Sequence, residues 1–273
     1  MRRKKLIFIE KLYMPFGICL QNYIPLRAEP SEKSEMISQV LYGETVEILE
    51  TNKKTGFSKV VMLFDKYEGW LDSKTIYPCD EETHQRINSL VEFVLSDIQN
   101  VLSLNNNTNL IIGAGSSLWR KKDIIVYPEN VLSVETKNEN VSGTIRERLV
   151  HSTIKWLNIP YLWGGRSSCG VDCSGFVQNI FKQVGIKLPR DAYQQAEMGN
   201  NINFHTEAQA GDLAFFDDDE GQIKHVGILL SSSKIIHSSG MVKIDKIDQN
   251  GIFSDTITAY THKLRLVKDI VSI

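Results

Sequence analysis

Between Gly17 and Tyr77 the apolar residues come in short runs, GICLQ, SQVLYGETVEILET, FSKVVMLF and YEGWLDSKTIYP, broken at Pro25, Pro30, Gly43, Asn52 to Gly56 and Gly69. No helical period runs through them. Short extended runs punctuated by glycine, proline and asparagine predict a small all-β barrel over residues 17–80. After a polar stretch, LVEFVLS, NTNLIIGAGSSLW and DIIVYPENVLSV predict a second β-rich region over 85–138, with Asn105 to Asn107 as a turn. That region reads either as a degenerate second barrel or as a β-rich linker packed on its neighbours.

From residue 140 the period changes. Thr144 with Glu147 three residues on fits a capping box, and Ile145, Leu149, Ile154, Trp156 and Leu157 share a helix face that Pro160 ends. Phe176, Val177, Ile180, Phe181 and Val184 predict a second helix that starts at Asp172 or Cys173 and stops at Gly185. The runs DLAFF, HVGILL, KIIHSS and MVKIDKI then return to strands, with turns at Asp217 to Gly221 and Ser231 to Ser233. Helices first and sheet second make 140–273 an α+β unit.

Composition adds exclusions. With 42% hydrophobic and 23% charged residues, the 273-residue chain can build several cores. Its 31 basic against 33 acidic residues give a net charge of −2, so no broad basic surface is expected for nucleic acid or anionic lipid. No apolar run is long enough to span a bilayer as a helix. The opening MRRKKLIFIEKLYMPFG places Arg2 to Lys5 before Leu6 to Ile9, but Glu10 and Lys11 cut that run well short of the roughly 7–15 residues of a secretion-signal core. Residues 1–16 are therefore expected to be a disordered extension, with Met14 as a second candidate start, and the location to be cytoplasmic. The scattered Cys19, Cys79, Cys169 and Cys173 suggest reduced thiols rather than a disulfide scaffold.

Cys173 sits in VDCSGF at the start of an apolar-faced helix, where free N–H groups and the helix dipole favour a thiolate nucleophile. A buried cysteine acting as a small hydrophobe is the plainer alternative. A base is available in His225, which opens HVGILL, and His237 follows in KIIHSS. If those runs form a hairpin about Ser231, the two histidines lie directly opposite, so His237 can orient the imidazole of His225. Either histidine alone would pass as an ordinary surface or core residue. The joint placement supplies a nucleophile, a base and an orienting group.

In order along the chain, PYLWGGRSSCGVDCSGFVQNIF, LPRDAYQQ, GDLAFF, KHVGILL and IIHSSG resemble the NlpC family of papain-like bacterial cell-wall peptidases, from about Asn140 to the C-terminus. The IPLRAEPSEKSEMI stretch and Tyr67-Glu68-Gly69-Trp70 resemble bacterial SH3-like domains. The resemblance implies one or two SH3-like barrels ahead of a papain-like catalytic unit. It also implies a thiol peptidase that cleaves between D-γ-glutamate and a diamino acid in peptidoglycan-derived peptides. Cys173 is then the nucleophile, His225 the general base and later acid, and His237 its orienter. Tyr161 would line the oxyanion region, Asp172 and Ser174 would contact substrate, and Asp191 would bind the free amine of an N-terminal L-Ala. Glu29 and Tyr67, from the SH3-like segments, are the candidates for a second wall around that amine. Each has a structural alternative: a half-buried aromatic for Tyr161, helix caps for Asp172, Ser174 and Asp191, and a solvated turn for Glu29.

No cofactor is implied, and the expected partner is a small peptide of the L-Ala-γ-D-Glu-diamino acid type, a turned-over muropeptide. The competing readings are an inactive wall-peptide binding module, a secreted wall hydrolase, an acyltransferase on the same fold, and a zinc site built from Cys169, Cys173, His225 and His237.

Overall fold

The structure is a computed structural model, described here for residues 14–121, 124–127, 131–135, 142–203 and 207–272. Most of the expected N-terminal extension lies outside the described residues. The first seven strands, β1 (Phe16–Ile18), β2 (Tyr23–Arg27), β3 (Met36–Leu41), β4 (Thr45–Asn52), β5 (Phe57–Met62), β6 (Glu68–Asp72) and β7 (Tyr77–Cys79), pair antiparallel in the order β3-β2-β6-β5-β4-β1-β7. Alternation along them turns Ile24, Leu26, Val40, Val46, Val60, Met62 and Leu71 into one buried cluster. Helix α1 (Glu81–Asn88) follows, within a segment whose polarity gives no helix signal; the carboxylate of Asp80 caps it by accepting from Thr83 N–H at 2.8 Å. It docks through Ile87 and through His84, whose ring stacks on Phe16 at 3.9 Å.

Strands β8 (Val91–Val94), β9 (Asn100–Leu104), β10 (Asn109–Ile112), β11 (Ser117–Lys121), β12 (Ile124–Tyr127) and β13 (Val131–Glu135) form two three-stranded antiparallel sheets, β10-β9-β13 and β12-β11-β8. Leu95, Leu102, Ile112 and Leu118 close their core against Tyr42 of the first barrel. The middle region is thus packed on its neighbour and has a sheet structure of its own.

The C-terminal unit opens with α2 (Ile145–Ile154), whose Thr144–Glu147 capping box forms in both directions. A two-stranded loop, β14 (Arg166–Ser167) and β15 (Gly170–Val171), leads into α3 (Cys173–Gln183) and the short α4 (Ala192–Gln195). Strands β16 (Asn200–Ile202), β17 (Leu213–Asp217), β18 (Ile223–Ser231), β19 (Lys234–Ser239), β20 (Met241–Asp248), β21 (Gly251–Ser254) and β22 (Ala259–Asp269) then pair in the order β16-β22-β17-β18-β19-β20-β21, and β21 also pairs with β22, closing the sheet on itself. Phe176, Val177 and Ile180 of α3 pack with Trp156 on Val226, Ile228 and Ile236 of the sheet.

A buried ion cluster ties the three regions together. Glu44, in the β3–β4 turn, accepts from both terminal nitrogens of Arg166 at 3.0 Å and from Lys182 Nζ at 2.7 Å. Lys182 also donates to Gly115 O and Ser117 Oγ of the middle region, at 2.8 and 2.9 Å. Both cations and the carboxylate are almost wholly buried. Nearer the active-site loop, Gly164 takes φ +74°, and a Cβ there would lie 2.1 Å from Met36 O, so only glycine lets this loop close on the barrel.

Candidate active site

Cys173 is the first residue of α3 because Asp172, with extended backbone, caps the helix: its Oδ1 accepts from Gly175 N–H at 2.7 Å. Its Oδ2 accepts from Gly164 N–H at 2.9 Å, which pins the loop ahead of the nucleophile. The same carboxylate is held bidentately by Arg190, at 3.0 and 2.5 Å, and Arg190 donates onward to Ser174 Oγ and Ser38 Oγ. For Asp172 the cap and a position at the cleft therefore coexist, whereas Ser174, also at the cleft, caps no backbone N–H among the described residues and instead bonds Asp172 and Arg190. Both side chains are committed to Arg190, a residue the sequence reading passed over although it stands in LPRDAYQQ.

The sulfur of Cys173 lies against β18 on both sides of His225, 3.9 Å from Lys224 O and in contact with the Val226 backbone N–H. His225 Nε2 and His237 Nδ1 are 2.8 Å apart, and His237 Nε2 is 3.0 Å from Asp245 Oδ2. These contacts fix the tautomers if the chain is to be satisfied. A carboxylate can only accept, so His237 carries its proton on Nε2; its Nδ1 then accepts from Nε2–H of His225, and the Nδ1 of His225 keeps a free lone pair. Lys243 also reaches Asp245, at 3.0 Å.

The direct opposition expected for the histidines does not hold. β18 and β19 pair Gly227 with His237, with an irregularity between Leu229 and Ser231 that shifts the register. The rings meet diagonally because Gly227 has no side chain; a Cβ there would lie 2.9 Å from that of His237. His262, on β22, stacks on the His225 ring with centroids 4.2 Å apart, and burial, His237 and Lys243 hold its pKa down to about 4.

Nor is the thiolate favoured at rest. Burial first, and the Asp172 carboxylate second, push the Cys173 thiol up to about 12, against opposing help from Arg190 and nearby amides. Burial, together with His237, His262 and Lys243, drives the His225 pKa well below its ordinary value. Both shifts act in the same direction, towards the uncharged forms of the thiol and the imidazole.

A cavity of about 250 Å3 opens beside Cys173, lined among others by Asp191, Tyr67, Glu35 and Trp163. The Tyr67 hydroxyl donates to the Asp191 carboxylate at 3.2 and 3.3 Å, and burial raises the Asp191 pKa despite the nearby Arg190. Glu29 does not line this cavity. It is exposed on a turn whose Ser34 hydroxyl accepts from its backbone N–H. Glu35, six residues on, reaches the cleft and accepts from the Trp163 indole. Nothing in the local sequence separates the two glutamates; the turn at 28–34 does. Tyr161 is half-buried, its phenol raised to about 12 by burial and by the neighbouring Cys173.

Among the described residues, three imidazoles, those of His225, His237 and His262, present nitrogens within 4.8 Å of one another and could hold a metal ion. His225 Nε2 and His237 Nδ1 are already engaged with each other. Cys169, a ligand in the zinc reading, is exposed and faces the side chain of Asn22.

Residues 158–261 match the NlpC/P60 family and residues 26–76 match the bacterial dipeptidyl-peptidase Sh3 domain. The γ-D-glutamyl-L-lysine dipeptidyl-peptidase of Bacillus subtilis (strain 168) is 44% identical over 94 residues, 34% of this chain and 31% of that protein. That of Bacillus cereus (strain ATCC 10987 / NRS 248) is 26% identical over 239 residues, 75% of this chain and 68% of that protein. The chain thus spans about a third of the first relative and about two thirds of the second. The crystal structure of an NlpC/P60 family protein from Bacillus cereus ATCC 10987 superposes with a TM-score of 0.75 over 94% of this chain and 99% of that one, at 18% identity, which establishes a common fold. The chain carries an NlpC/P60 domain behind a bacterial SH3-like domain.

Proposed function

We propose that the protein is a cysteine peptidase that hydrolyses the bond between γ-D-glutamate and a diamino acid in peptidoglycan-derived peptides with a free N-terminal L-Ala. The observation that carries this reading is the Cys173 sulfur seated against β18 at His225, whose proton network runs through His237 to Asp245. The name of the two Bacillus relatives supplies the bond. In this mechanism the Sγ proton passes to His225 Nδ1 as sulfur attacks the γ-carbonyl, and the carbonyl oxygen becomes an oxyanion at the amide end of α3, beside Tyr161. The C–N bond then breaks, His225 returns the proton to the leaving amine, and a dipeptidyl thioester remains. Water attacks the thioester, giving its proton to His225, and the thiol is restored. His237 stabilises the imidazolium, and Asp245 holds His237 in the one tautomer that can accept.

The amine end of the peptide fits the cavity wall of Asp191, Tyr67 and Glu35, where a buried ammonium finds opposite charge and acceptors. Asp191→Asn is expected to lower kcat/KM for L-Ala-γ-D-Glu-L-Lys by about 10–100-fold, the loss of one charge-assisted hydrogen bond, mainly through KM. N-acetylation of the peptide should cost wild type as much and the variant little. Equal sensitivity of both to acetylation would remove Asp191 from this role.

Asp245→Asn tests the relay. It replaces an obligatory acceptor by an amide, so His237 loses its tautomer preference, and kcat is expected to fall about 10–100-fold with KM unchanged. A variant with wild-type kcat would show that the tautomer is set elsewhere.

A further inference from the structure

Beside His225 lies a second cavity, of about 610 Å3, whose lining includes Asp217, Asp218, Lys224, Tyr260 and His262. Cys173 lines the first cavity and His225 the second, and Lys224 lines both, so the two cavities meet at the strand that carries the base. Asp217 is unlike its neighbours. Its side chain is only 3% exposed, its Oδ1 has no hydrogen-bond partner among the described residues, and its Oδ2 is 3.7 Å from Arg265 Nε. Asp218, by contrast, already accepts from the backbone of Glu220 and Gln222 through Oδ1. The register of β17 slips at this point, between Phe216 and Asp217 against β18 and between Phe215 and Phe216 against β22. Irregularities of this kind re-aim side chains at the rims of barrels. A carboxylate oxygen buried without a donor is costly, and a ligand that brings a donor relieves it.

We infer that this second cavity receives the leaving diamino acid and that Asp217 selects it by pairing with its side-chain ammonium. The inference rests on the peptidase reading: if the L-Ala-γ-D-Glu half occupies the cavity ending at Asp191, the group that departs lies past Cys173, over Lys224 and His225. A diamino acid then differs from every monoamino competitor by one cationic amine, and of the cavity's carboxylates Asp217 is the buried one with spare capacity, Asp219 being exposed to solvent. Asp217 is a specificity residue, separate from the reacting atoms.

The test compares L-Ala-γ-D-Glu-L-Lys with L-Ala-γ-D-Glu-L-norleucine, which keeps the chain length and lacks the amine. Wild type is expected to prefer the lysine peptide at least about tenfold in kcat/KM, and Asp217→Asn to bring the two within about twofold. Hydrolysis of both peptides by wild type at similar rates would overturn the inference and leave the peptidase reading standing, as would a variant that retains the wild-type ratio. Cleavage of neither would overturn the peptidase reading itself, and the inference with it. A crystal structure of Cys173→Ala with the lysine peptide bound decides the point even if Asp217→Asn fails to fold. The lysine ammonium is expected within hydrogen-bond distance of the Asp217 carboxylate, and its placement elsewhere overturns the inference.

Discussion

Cys173→Ala is expected to abolish hydrolysis of L-Ala-γ-D-Glu-L-Lys, by a factor of about 10,000 or more, while the protein keeps its fold. The second half of that expectation follows from packing. The sulfur is buried and its contacts, with Lys224 O at 3.9 Å and the Val226 backbone N–H, are to backbone that pairs elsewhere in the sheet, so alanine at this position removes a single atom from a site that otherwise keeps its Asp172 cap. The first half follows from chemistry, because no neighbouring group can replace the sulfur: Ser174 Oγ is turned to Asp172 and Arg190. The measurement is release of free lysine by wild type and variant at equal concentration, with matching circular dichroism spectra. Residual hydrolysis within tenfold of wild type would show that the nucleophile lies elsewhere. With burial holding the thiol pKa up, the proposed attack needs His225 as its proton acceptor. A helix N-terminus contributes about 0.3–1 kcal/mol to a nearby anion, whereas burying a charge costs several kcal/mol, so burial wins and sulfur must lose its proton during the attack.

The largest effect on stability is expected at Glu44. Glu44→Gln leaves Arg166 and Lys182 buried side by side without their counter-charge, and breaking a buried pair in this way costs about 3–5 kcal/mol. For a chain of this size that lowers the melting temperature by roughly 6–20 °C. The surface pair Lys59–Glu68, at 3.4 Å and well exposed, is the control, and Glu68→Gln should change stability by less than about 1 kcal/mol. The pH dependence has a defined sign. Arg166 and Lys182 outweigh burial and hold the Glu44 carboxyl at about 2 in the folded protein, below its ordinary 4.5. A depressed carboxylate contributes stability that is present above about pH 4.5 and is lost as pH falls toward 2. The acid limb of wild type should therefore be steeper than that of Glu44→Gln. Equal melting temperatures and parallel acid limbs would mean the cluster is energetically silent.

The strands and helices that carry the chemistry were legible because their periods are strong. The Thr144–Glu147 box, the apolar face of α3 and the strands of His225 and His237 stand where the pattern puts them. What failed depended on one residue of register or on distant contacts. The hairpin arithmetic brought the two histidines together but missed the irregularity at Leu229–Ser231, so opposition became a diagonal contact across Gly227. Helix α1 was invisible because only Ile87 and His84 are buried on it. Asp245, His262, Glu35 and Arg190 gave no local signal, since each acquires its place from a strand or loop far away in sequence. The burial that opposes a Cys173 thiolate gave no signal for a related reason: a helix start is visible in sequence, but the depth at which it is buried is not.

Cys173 is expected to form a thioester with the L-Ala-γ-D-Glu half of the peptide. Wild-type protein mixed with L-Ala-γ-D-Glu-L-Lys, quenched in acid within the first turnovers and digested, should show the dipeptidyl mass on the fragment containing Cys173, together with free lysine in solution. Free lysine with that fragment unmodified at every quench time, or the adduct on another residue, would contradict the account.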